Sequence, residues 1–97
     1  IKAINKAKSV RFSFLNTSQE INLGDNFNLE NVEIVNSNLI HIPNLSKLNK
    51  LSRLDLKYNL IYILNRYPAH QLPTSIKEFD LRFNRIKFIE NSFFSQF

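Results

Sequence analysis

The chain has no cysteine, a single glycine and three prolines among its 97 residues. Without cysteine there is no disulfide to close the ends of a small fold and no thiolate site for a metal. The lone glycine, Gly24 beside Asp25, marks the one place where a positive backbone angle carries no steric cost, so a turn is expected there. No apolar run approaches the roughly 18 residues of a membrane span, and Ile1 to Lys8 lacks the apolar core of a secretory leader. A glycine-rich phosphate loop, a nucleophile elbow and zinc-ligand spacing are also missing. His41 and His70 are far apart and have no ligand-spaced companions, so both read as loop or surface residues. These absences argue against an enzyme, and no cofactor or metal is expected.

Hydrophobic residues make up 43% of the chain and charged residues 22%, the balance of one small domain. A chain of this size buries only about 60 to 65% of its unfolded surface, so protection of its ends matters. Net charge is +5 with a pI near 9.8, which raises nucleic acid as a partner. The basic residues are scattered, however, with loose groups at Lys2, Lys6, Lys8 and Arg11 and at Lys47, Lys50, Arg53 and Lys57. A solvated surface is the simpler reading, and binding to nucleic acid is not expected.

The most informative stretch is Leu51 to Leu64, LSRLDLKYNLIYIL. Leu54 and Leu56 alternate with Asp55 and Lys57, which is strand spacing, and Asn59 then follows where the chain must turn. A buried asparagine has a role at such a corner, because its amide both donates to and accepts from loop backbone groups that lack a ladder partner. The pattern recurs from Ile76 as IKEFDLRFNRIKFI, with Ile76, Phe79, Leu81, Asn84, Ile86 and Ile89 in the same six slots. It recurs upstream from Leu29, with Val32, Ile34, Leu39 and Ile42 matching and Ser37 in the asparagine slot. The copies start 22 (29 to 51) and 25 (51 to 76) residues apart.

This chain resembles the leucine-rich-repeat family, whose units run to about 20 to 29 residues. The resemblance implies an α/β-type solenoid: a right-handed superhelix with a short parallel sheet on its concave face and irregular or 3₁₀ returns on its convex side. Residues 1–97 form a single domain of about four repeats, 9–28 (degenerate), 29–50, 51–75 and 76–97. Many secreted members close their ends with cysteine-rich caps, and this chain departs from them. The segments VEIVNSNLIHIP and NSFFSQF are similar to secreted insect-type or receptor-ectodomain repeats. That style implies an extracellular protein of innate-immune or adhesion recognition, partnered by another protein, with a second leucine-rich-repeat chain as one candidate. The alternative is a cytoplasmic scaffold, or a bacterial or viral repeat protein acting on host proteins, which the missing cysteines favour.

Taken in order, Ile1, Ile4 and Ala7 are spaced for a helical turn, and Val10, Phe12 and Phe14 alternate as a strand. Phe12 and Phe14 lie 20 residues before Val32 and Ile34, which makes them the inward pair of the degenerate repeat and puts Thr17 in its asparagine slot. Ile21, Leu23 and Phe27 are the inward residues of the return. After Pro43, Leu45 and Leu48 with Asn44 as N-cap predict a short helix or 3₁₀ turn. Pro68 and Pro73 exclude a long helix in the longest return, where Tyr67, His70 and Gln71 are candidates for an interaction loop. Phe94 and Phe97 follow the spacing that, in extracellular members of the family this chain resembles, leads into another repeat, and the resemblance therefore implies a C-terminal end that is continued or covered.

In-register stacking places the outward residues in columns. One column reads Ser13, Glu33, Asp55, Asp80, and its neighbours hold Arg53, Lys57 and Arg82, which can neutralise the stacked carboxylates. A further column reads Asn16, Asn36, Tyr58, Phe83. The candidate partner-binding residues are therefore Glu33, Arg53, Asp55, Lys57, Tyr58, Asp80, Arg82 and Phe83, with exposed aromatics beside arginines as the hot spot. Thr17, Ser37, Asn59 and Asn84 are the candidate structural ladder. Asn16 and Asn44 open N-x-S/T sequons, with Asn44 the better glycosylation acceptor.

Overall fold

The computed structural model describes residues 7–15, 23, 27–65 and 72–97. The expectations for Asn16, Thr17, Ile21, Gly24, Asp25, Tyr67, Pro68, His70 and Gln71, and for most of the turn over Ile1 to Lys8, lie outside these residues.

Four strands, β1 (Ser9–Ser13), β2 (Asn31–Val35), β3 (Arg53–Asp55) and β5 (Glu78–Asp80), form one parallel sheet in the order β1-β2-β3-β5. Parallel neighbours cannot be joined by a hairpin, so each connection leaves the sheet and returns to the same end. Between them lie β4 (Ile63–Leu64) and, after β5, β6 (Phe88–Ile89), which pair with each other in a second, two-stranded parallel sheet that the sequence pattern did not announce. Among the described residues the only helical element is one 3₁₀ turn, Phe94–Gln96.

Alternation within the strands sends Val32, Ile34, Leu54 and, less completely, Phe79 to one side, where they meet Leu29, Leu39, Ile42, Leu51, Leu56, Ile61, Leu64 and Ile76. Leu51, Leu54, Leu56 and Ile61 have no exposed surface. At about 1.5 to 3 kcal/mol for each fully buried side chain, this central unit carries the largest share of the core.

The register is set by three offsets. Val10 pairs with Val32, Val32 with Leu54 and Leu54 with Phe79. The later offsets are those of the sequence pattern, but the first is 22 (10 to 32) and not 20. Val10 and Phe12 therefore take the inward slots, and Phe14, expected in the core, is 81% exposed. In this register all five β1 residues pair with β2 and Leu15 lies opposite Ser37, donating its N–H to the Ser37 hydroxyl at 3.2 Å, a partner that an offset of 20 would replace with Val35.

Other apolar assignments also change. Leu23, Leu45 and Leu48 are buried as expected, but Phe27 and Ile89 are half exposed. Phe93, to which the sequence pattern gave no place, points into the core, with 1% of its surface exposed against rings from Phe79, Phe94 and Phe97. The segment after Pro43 makes two successive turns, Leu48 N–H to Leu45 C=O and Leu51 N–H to Leu48 C=O, and no helix. Asn44 still caps locally, its Oδ1 accepting the Ser46 N–H at 3.1 Å and the Ser46 hydroxyl at 2.8 Å. That turn leaves Asn44 exposed.

Candidate functional site: the outer face of the four-stranded sheet

The face is held in place by polar side chains just beyond β2, β3 and β5: Ser37 and Asn59, which are buried, and Asn84, which is partly buried. Asn59 accepts the N–H groups of Ser37 at 3.0 Å and Leu39 at 3.2 Å, and it donates to the carbonyls of Ile34, Leu56 and Lys57. Asn84 repeats this one strand on, accepting from Ile61 at 3.0 Å and donating to Leu56 and Leu81 at 2.9 Å. Ser37, with only a hydroxyl, accepts from Leu15 and donates to the Val35 carbonyl at 2.9 Å. These contacts satisfy groups that leave the ladder where the strands stop, each of which would otherwise cost about 1 to 3 kcal/mol.

The strand ends carry a second device. The Asp55 carboxylate accepts the Lys57 N–H at 3.0 Å and the Asp80 carboxylate accepts the Arg82 N–H at 3.1 Å, so each aspartate closes the turn that follows it. An acidic residue two positions before a basic one was the available sequence signal for this.

The corrected register makes one outward column Arg11, Glu33, Asp55, Asp80, with Arg11 in place of Ser13. Arg11 Nε lies 3.2 Å from Glu33. Arg53 in the adjoining column is a hub, reaching Glu33 at 3.1 Å, Asp55 at 3.6 Å and Glu78 at 3.5 Å. Lys57 Nζ is 3.5 Å from Asp55, and Arg82 grips Asp80 with two guanidinium nitrogens at 2.9 and 3.1 Å. Asp55, expected at the surface, is 3% exposed, and Val35 beside Glu33 is also buried. Asp55 tolerates this because two cations and one backbone N–H converge on it. The Arg82 guanidinium holds the Asp80 carboxyl below its ordinary value, and Asp80 in turn raises the Arg82 guanidinium. Among the described residues no three His, Asp or Glu side chains gather as a metal site.

Four residues follow the strands at matching places, and all have positive φ: Phe14 (57°), Asn36 (49°), Tyr58 (59°) and Phe83 (62°). Left-handed backbone turns the chain off the sheet at each of them, a conformation asparagine adopts readily and bulky side chains do not. Tyr58 and Phe83 are half exposed or more and stack with ring centroids 4.5 Å apart and planes 1° from parallel. That distance is close to the spacing of neighbouring strands, so the sheet itself sets the stack. The pair was expected from the sequence, but the positive φ and the membership of Phe14 were not. Asn16, assigned to this column, lies outside the described residues. His41 is exposed and its ring lies 5.6 Å from that of Tyr62.

No helix among the described residues is long and apolar enough to cross a membrane. No family model matches the chain, and neither curated proteins nor solved structures yield a match.

Proposed function

We propose that the chain is a leucine-rich-repeat solenoid whose four-stranded sheet lines a concave, protein-binding face, and that it acts by recognition without catalysis. The offsets of 22, 22 and 25 residues between paired strands, and the side-chain ladder of Ser37, Asn59 and Asn84, support the repeat reading. The observation that carries the binding reading is the exposed, stacked pair Tyr58 and Phe83 next to Arg82, because rigid aromatics and arginine dominate the energetics of protein interfaces. The cations of this face argue against a nucleic-acid partner. Arg11, Arg53, Lys57 and Arg82 are each paired with a carboxylate of the same face, so among its described residues they form no row of free positive charge for phosphates.

The test compares the unaltered chain with the double variant Tyr58→Ala, Phe83→Ala as bait for proteins of extracellular fluid and of cytosol. A specific partner should be retained by the first and lost by the second, with truncation of a hot-spot aromatic costing about 2 kcal/mol or more and the thermal midpoint nearly unchanged. An extracellular partner supports the ectodomain style, and a cytosolic one supports the scaffold alternative. If the double variant unfolds as Leu56→Ala does, the aromatics are core and the reading fails.

A further inference from the structure

Among the described residues the same sheet has two unpaired edges. β1 is paired only with β2, and β5 only with β3, among the described residues. In the existing ladders the carbonyl of Lys8 accepts from Glu30 and Asn31, that of Glu30 from Ser52 and Arg53, and that of Ser52 from Lys77 and Glu78. The next carbonyl in this series is that of Lys77, at the β5 edge. Strand alternation turns the backbone groups of Ser9, Arg11 and Ser13 away from β2, since Lys8 and Phe14 face it. The two edges are therefore a donor and acceptor set of the same pitch and the same direction.

Side chains on the edges are complementary as well. The column Arg11, Glu33, Asp55, Asp80 has its cation at one edge and a carboxylate at the other. Within the chain, Arg11 already meets the carboxylate of the next strand at 3.2 Å. The β5 end shows apolar surface on Phe83, Phe88, Ile89, Phe94 and Phe97, and the β1 end offers Val10, Phe12 and Leu15, which the core only partly covers, with Phe14 standing clear.

We propose that the chain associates with copies of itself head to tail, β1 of one molecule adding in parallel to β5 of the next. Each junction continues the sheet in its own register, with Arg11 of the incoming copy beside Asp80 and Phe14 beside Phe83. Both partners present different surfaces, so the contact is heterologous and the assembly grows without closing as a dimer. Its backbone ladder uses the edges, while Asp80 and Phe83 belong to the face as well, so Ser13→Pro, which alters no candidate binding residue, separates its failure from that of the binding reading above.

The experiment is sedimentation velocity of the 97-residue chain over a wide concentration range, alone and as variants. Average mass should rise continuously with concentration. Ser13→Pro removes an outward N–H from an exposed edge residue and should keep the chain monomeric with its circular dichroism and melting unchanged. Arg11→Glu and Asp80→Lys each set like charges opposite one another and should weaken association about tenfold or more. An equal mixture of those two variants should associate again, because every junction then joins opposite charges. A chain monomeric throughout, a closed dimer, association that survives Ser13→Pro, or a mixture no stronger than its components would each overturn the proposal.

Discussion

Asn59 reaches back 22 residues to accept the N–H of Ser37 at 3.0 Å, although only 4% of Asn59 is exposed. One amide thereby serves five backbone groups on two neighbouring units. Asn59→Ala would strand them in the interior, at about 1 to 3 kcal/mol for each one left without a partner, in a domain whose whole stability is about 5 to 15 kcal/mol. Urea denaturation should find this variant largely unfolded in buffer. Asn84→Ala, made where the side chain is only partly buried, should remain folded with a lowered midpoint.

Phe14 lies in left-handed backbone and is the most exposed large apolar residue described. Asparagine accepts that conformation at much lower cost, so Phe14→Asn should raise the unfolding free energy by about 0.5 to 1 kcal/mol, read as a higher urea midpoint at constant slope. Tyr58→Asn gains the same relief but loses a stack worth about 0.5 to 1.5 kcal/mol, and its midpoint should hardly move. A lower midpoint for Phe14→Asn would show that this ring contributes packing.

Phe93 and Phe94 are adjacent and oppositely placed, at 1% and 51% exposure. Phe93→Ala should cost about 3 to 5 kcal/mol through the cavity it leaves, and Phe94→Ala should stay within about 0.5 kcal/mol of the parent chain. Paired thermal melts of the two variants decide it, and comparable losses would contradict the inward placement of Phe93.

Asp80 is held below its ordinary value of 3.8, first by the Arg82 side-chain hydrogen bonds. A depressed carboxylate contributes stability in full above its unfolded value and loses it as pH falls through the folded one. The contribution should therefore persist to about pH 4 and vanish on further acidification, and Asp80→Asn should flatten that limb of a plot of melting temperature against pH. Because the pair is at the surface, added salt should shrink the difference.

How much of this was legible depended on how strictly each segment follows the pattern. Leu54, Leu56, Asn59 and Ile61 occupy their slots without ambiguity, and the structure buries all four. Tyr58 and Phe83 were legible as neighbours because a 25-residue offset relates both them and the paired residues Leu54 and Phe79. The first strand was not legible in the same way. Val10, Phe12 and Phe14 alternate equally well in two registers, and alternation alone cannot distinguish them when a slip of two residues keeps every side chain on its face. A hydrogen bond from Leu15 to Ser37 made the choice.

Periodicity thus fixed which segments form the four-stranded sheet, which residues turn inward through the middle of the chain, and where a buried amide must stand, because those properties depend on residues close together in sequence. Only the tertiary structure decided the register of β1, the burial of Asp55 beside Arg53 and Lys57, the inward turn of Phe93, and the left-handed backbone beneath the aromatic pair. The register follows from what the neighbouring strand, 22 residues away, presents across the sheet, and the placement of Phe93 from the rings of Phe79 and Phe97 that close on it.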